Sequence, residues 1–213
     1  MGILDLLEAS AEGTSDEIKK EIVETCLQSP SQLHGVADAL MTTKGKLQLA
    51  AAEVLADVGK ERPELVATHI PSLMRIVDDA NPKTSKVALA AIAASAHVDP
   101  SAVARYQKDL EGLAKGGKLA EPALSVLAHL GTASPRWAGS VRPTLLGFLG
   151  RAEHERVAAV VAAIAPAFLP NAERELNAAL ERVLAKAPPE VLEKAREAVR
   201  KAGRKKTKSK KSS

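Results

Sequence analysis

Five histidines, at positions 34, 69, 97, 129 and 154, and one cysteine, Cys26, are the side chains of this 213-residue chain best suited to metal ligation or acid–base and nucleophilic chemistry near neutral pH. His97 and His129 fall at equivalent places in two alanine-rich segments, in line with Asp57. Two imidazoles and a carboxylate are a set that can hold a divalent metal. A histidine near a helix end more commonly faces water or bonds a carbonyl, and the sequence favours that reading. Cys26 stands in an apolar stretch with no histidine nearby to lower its pKa, so a buried structural thiol is expected. A lone cysteine excludes an intramolecular disulfide and a cysteine-based zinc set, and suits a reducing compartment. No Gly-rich phosphate loop, Ser-His-Asp set or HExxH helix occurs, and Gly116-Gly117 reads as a turn. The expectation is a non-enzyme with no catalytic residues, no cofactor, no metal and no small-molecule substrate.

The elements that position these residues are helices. Ile70-Pro71-Ser72-Leu73-Met74-Arg75-Ile76-Val77-Asp78 returns as Val141-Arg142-Pro143-Thr144-Leu145-Leu146-Gly147-Phe148-Leu149, with the prolines 72 residues apart. That is two units of 36, a period typical of stacked helical arrays. Helices are expected from about 15 to 27, 32 to 41, 46 to 58, 82 to 98, 102 to 115, 118 to 130, 135 to 149, 153 to 169, 172 to 187 and 191 to 202. A further segment, 63 to 79, is interrupted or kinked at Pro71. Val58, Val98, Leu130 and Phe168 align as the last apolar residues of four alanine-rich helices. Nothing alternates as a strand would. Aromatics are 2% of the chain against 46% hydrophobic residues, so Ala, Leu and Val must fill the interior.

The net charge of +4 conceals an asymmetry. Residues 200–213 carry eight Lys and Arg and no acid, leaving 22 basic against 26 acidic residues in the remainder. Arg204, Lys205, Lys206, Lys208, Lys210 and Lys211 form a segment with nothing apolar to bury, expected to be disordered from 202 to 213 and suited to DNA or RNA phosphates. One basic residue per repeat, Lys46, Lys86, Lys118 and Arg156, falls near a helix start and forms a candidate ridge for an anionic partner, the bland alternative being solvated charges or local ion pairs. No stretch is apolar enough to span a membrane, and the start lacks a basic segment followed by an apolar one; Leu6 stands where a myristoylation signal needs Ser or Thr. The expected location is cytoplasmic, with Lys205-Lys206-Thr207-Lys208 serving nuclear import in a eukaryote.

The segment Ile70 to Pro82 followed by Val87 to Ile92 resembles the HEAT repeat, an armadillo-type helical family, with an early proline, leucine-rich positions, an Asp and Pro turn and a Val and Ala-rich second helix. The match recurs from Pro143 to Ile164 and, with Gln107 in place of the proline, from Gln107 to Leu130. Ala88 and Ala158 stand where the family has an arginine. The resemblance implies an all-α, right-handed α-α superhelix of about five HEAT-like helix pairs over residues 1–201. It also implies a non-catalytic scaffold or adaptor whose partner is another protein, the alternative being a nucleic-acid-associated accessory protein. HEAT-like deoxyhypusine hydroxylases use several His-Glu pairs, whereas His154-Glu155 is a single one.

Overall fold

Three helices begin with the same local device, a capping side chain followed by proline. Asn81 Oδ1 accepts from the Lys83 and Thr84 amides at 3.0 and 3.2 Å, Asp99 Oδ1 from the Ala102 amide at 3.0 Å, and Ser134 Oγ from the Trp137 amide at 3.4 Å. Pro82, Pro100 and Pro135 follow as the first helical residues, where a missing N–H leaves no bond unmade. The computed structural model describes residues 2–12, 16–79 and 81–209, without the side chains of Asp79 and residues 205–209. Among the described residues all regular structure is helical. Within what the sequence reads as one array, two compact units divide at Gln107.

The first unit contains α1 (Ile3–Ala11), α2 (Asp16–Gln28), α3 (Gln32–Thr42), α4 (Gly45–Glu61), α5 (Pro63–Ala67), α6 (Ile70–Asp79), α7 (Pro82–Ser95) and α8 (Pro100–Ala104). At its centre α4 packs against α1, α2, α3, α5 and α7, burying Ala51, Val54, Leu55 and Val58. Small side chains on α4 and α7 let these two helices share a broad face. Gln48 and Ser85, each the fourth residue of its helix, reach back to the preceding one: Gln48 Nε2 donates to the Leu40 carbonyl at 3.2 Å and Ser85 Oγ to the Val77 carbonyl at 3.2 Å. Both tie the free carbonyls of one helix end to the next helix.

Several expectations change in detail. The 63–79 segment breaks at Thr68 and His69, so Pro71 lies in the first turn of α6 and kinks nothing. Likewise 102–115 divides into α8 and α9 (Gln107–Ala114). α7 thus follows a short helix and a longer one, α5 and α6, so that here the simple pair becomes a triplet. Val98 is not a core residue equivalent to Val58. It lies past the end of α7 and is 42% exposed, while Ala88, Leu89, Ala91 and Ile92 form the buried face.

Thr84 is fully buried and its Oγ1 finds no hydrogen-bond partner among the described residues. Since a buried unmet hydroxyl costs about 1–3 kcal/mol, Thr84→Val, which keeps the shape, is expected to leave stability unchanged or raise it by about 1 kcal/mol in urea unfolding. A loss of similar size would show that the hydroxyl is bonded.

The second unit holds α9, α10 (Ala120–Leu130), α11 (Pro135–Leu149), α12 (Val157–Ile164), α13 (Glu173–Val183) and α14 (Pro189–Ser209). Here the proline phrase behaves differently: α11 runs unbroken through Pro143. The expected 153–169 helix is α-helical only as α12, with tight 3-10 turns at His154–Arg156 and Ala165–Ala167. Pro166 and Pro170 lack the N–H groups that would extend it. α10 and α14 both pack on α12.

The final helix, expected to end near Ala202, has a helical backbone to Ser209. Lys and Arg are good helix formers, and Gly203 alone weakens the run by only about 1 kcal/mol. Lys210 and Lys211, and the side chains of Lys205, Lys206 and Lys208, lie outside the described residues.

Candidate functional site

A concave surface in the second unit arises where three chain segments turn. α9 ends at Ala114, and the link to α10 passes Gly117 at φ +79°, a backbone conformation that glycine adopts without strain. α11 ends at Leu149, and the chain then passes Arg151 and Glu153 into the 3-10 turn that leads to α12. The resulting groove has a volume of about 380 Å³, in the range of small-ligand and side-chain sites. Its apolar wall comes from Leu124, Phe148 and Val160, and its rim from Lys115, Arg151, Glu153 and Arg156.

Electrostatics differ along that rim. Arg156 Nε and Nη2 both donate to Glu121 Oε1, at 3.0 and 2.6 Å, fixing the entry to α12 against the first turn of α10. There the carboxylate also complements the positive helix end. Arg151 lies over the Phe148 ring, with its guanidinium carbon 5.1 Å from the centroid. Neither Arg151 nor Lys115 has an acidic partner among the described residues.

The four candidate ridge residues are distributed over both units. Lys46 is the second residue of α4 and Lys86 the fifth of α7. Both are exposed, and neither has an ion-pair partner among the described residues. Lys118 is exposed in the turn before α10, and Arg156 is engaged by Glu121. Counted from their helix starts they occupy different heights.

His97 is exposed in the turn after α7, whereas His129 on α10 places Nδ1 2.8 Å from the Ser125 carbonyl oxygen. Asp57 is occupied by Lys60 at 2.6 Å and Lys19 at 3.4 Å. Burial raises its pKa, but the hydrogen bonds and charges of Lys60 and Lys19 outweigh that and hold it below the usual aspartate value. No cluster of three or more metal-ligating side chains occurs among the described residues. A histidine contact that the sequence reading missed joins His34 on α3 to His69 before α6, with centroids 5.6 Å apart and edge to face. Burial, and then the charge of His34, lower the pKa of His69 against the opposing pull of Asp38, so neutral imidazole is favoured there.

Cys26 is fully buried, and burial pushes its thiol up to about 11. The folded protein is expected to react with Ellman's reagent at pH 8 at least about a hundredfold more slowly than the urea-unfolded chain. Equal rates would place the thiol at the surface. Trp137, the third residue of α11, is half-buried beside the Arg136 guanidinium.

No protein-family model matches the chain, and no curated protein matches it. Solved structures do. An engineered protein is similar over 94% of this chain and 90% of its own, at 18% identity and a TM-score of 0.56. Computationally designed armadillo repeat proteins for modular peptide recognition are similar over 94% of this chain and 99% of theirs, at 17% identity and a TM-score of 0.56. A second engineered protein gives 18% identity and a TM-score of 0.54 over 88% of this chain and half of its own. At such identities the likeness is one of fold. In fold, then, the chain is an all-α helical-repeat solenoid of the armadillo/HEAT type.

Proposed function

We propose that this protein is a non-catalytic scaffold that binds another protein through the surface of its folded body, with the basic C-terminal segment adding electrostatic attraction. The observation that carries this reading is the fold shared, over 94% of the chain, with armadillo repeat proteins designed for peptide recognition. Preformed helix surfaces bind at a small cost in ordering entropy, which is why a repeat stack suits extended polypeptide partners. The exposed lysines Lys46, Lys86 and Lys118 supply cations for acidic side chains of that partner, and Arg156 contributes where Glu121 leaves it reach. A single buried thiol fits a reducing compartment, the cytoplasm in the first instance and the nucleus in a eukaryote.

The second reading is a nucleic-acid-associated accessory protein. It is favoured by α14, which carries exposed Arg200, Lys201 and Arg204 in helical register. Against it, Arg200 pairs with Glu193 and Lys201 with Glu197 at 2.9 Å.

A display selection of folded protein fragments separates the two. It compares the intact chain with a variant in which Arg204, Lys205, Lys206, Lys208, Lys210 and Lys211 become Gln. Truncation at 199 is less suitable, because it cuts α14 at a buried residue, Val199. The scaffold reading expects the same fragments enriched on both forms. Enrichment on neither, beyond a folded control of equal charge, would remove it.

A further inference from the structure

Resting on the protein-binding reading, we propose that the groove between the end of α9, the end of α11 and the lead-in to α12 docks a short acidic peptide segment bearing one apolar anchor residue. The anchor enters the apolar wall of Leu124, Phe148 and Val160, and flanking carboxylates meet Lys115 and Arg151.

The charge balance of the rim sets the sign of the partner. Arg156 is satisfied by Glu121, and the one carboxylate lining the groove is Glu153, so Lys115 and Arg151 leave a positive excess. Both cations follow helix C-termini, where they also complement the helix dipole. That role does not need them to flank a concave apolar surface, and here they do. The groove is set in a body that is acidic outside residues 200–213, with 22 basic against 26 acidic residues. An acidic segment is therefore drawn to this rim more than to the body's acidic faces.

Size and chemistry argue for a peptide over a nucleic acid. A volume of about 380 Å³ takes one large side chain with its backbone. Binding to a phosphate backbone grows with the number of phosphates neutralised, and two free cations neutralise few. Base stacking needs an open aromatic face, whereas the face of the Phe148 ring is taken by the Arg151 guanidinium.

The test is an array of immobilised 12-residue peptides, each with a central Leu or Phe flanked by Glu and Asp, by Ser and Gly, or by Lys and Arg. It is probed with the full-length chain carrying the six Gln replacements in the basic segment, so that those cations do not attract acidic peptides themselves. Acidic flanks are expected to be held at least about tenfold better than neutral ones, and replacing the anchor by Gly should remove the signal. Lys115→Glu with Arg151→Glu should cut retention of acidic peptides at least about tenfold with an unchanged far-UV thermal melt. If the double variant does not fold, Lys115→Glu alone, in an exposed turn, is expected to cut it several-fold.

Equal retention of neutral and acidic flanks, indifference to the charge reversal, or displacement by a 12-mer oligothymidylate would each overturn the proposal. Peptides held regardless of the reversal would refute the groove while leaving the scaffold reading intact. Failure to hold any peptide refutes the groove too, and the scaffold reading is then decided by the fragment selection.

Discussion

Phe168→Ala is expected to cost the second unit about 3–5 kcal/mol, read as a shift of its urea midpoint by circular dichroism. Phe168 is the largest fully buried side chain, in a protein whose interior is otherwise mostly Ala, Leu and Val. It follows the tight turn Ala165–Ala167, which packs on α10, α11 and α14. Its loss therefore opens a cavity where small neighbours have little side chain with which to refill it. The ring also supports Arg142, whose guanidinium carbon is 5.5 Å from the centroid and whose Nε donates to the Ala167 carbonyl at 2.9 Å. Glu175 lies 3.8 Å from the same guanidinium. Removing the ring thus loosens a link between α11 and the start of α13 as well as the core. A cost under about 1 kcal/mol would mean that the 165–169 turn is not packed as described.

Gly131→Ala is expected to destabilise by about 1–3 kcal/mol, even though at a φ open to any residue alanine ordinarily stabilises by restricting the unfolded chain. Gly131 caps α10 at φ −63°, so its conformation is open to any residue. Space decides the outcome. An added Cβ would come within 2.8 Å of Val141 Cγ2 and 3.2 Å of both the Ala128 carbonyl oxygen and Ala167 Cβ. Val141 is β-branched and buried, so it has no free rotamer into which to retreat. Gly112 offers the control, since a Cβ there meets nothing within 4 Å. Gly112→Ala should be neutral or mildly stabilising, and equal behaviour of the two variants would refute the close approach at Gly131.

Much of the helix layout was legible because its signals are local. Asn81-Pro82 and Pro135 mark helix starts through capping and the fixed proline φ, and α11 begins and ends where its pattern does. Less local features escaped. The break at Thr68 and His69 follows no Gly or Pro, and the chain runs helical past Pro143 while starting a fresh helix at Ile70, although the two phrases look alike. Aligning helices by their last apolar residue placed Val98 with Val58, but α7 ends at Ser95 and Val98 belongs to a turn. The polar residues Gln48 and Ser85 in alanine-rich helices carried a signal, since a polar side chain at a buried position needs a partner; the Leu40 and Val77 carbonyls supply it.

The groove was the least legible feature. Lys115, Leu124, Arg151 and Val160 come from separate elements, and no spacing in the sequence marks them as neighbours. The sequence did single out Arg156, but as one of a row of exposed cations; only the fold shows it bound to Glu121, 35 residues away.

In the proposed scaffold the folded body, and not the basic C-terminal segment, is the binding element. The most direct test of this is a titration of mixed-sequence duplex DNA and of RNA with the intact chain and with the six-Gln variant, across a range of salt concentrations. At physiological salt neither form is expected to bind more tightly than about 1 μM, the strong end of non-specific attraction. Tighter binding by the intact chain, lost in the variant and falling steeply with salt, would contradict the scaffold reading and put nucleic acid in the place of the protein partner.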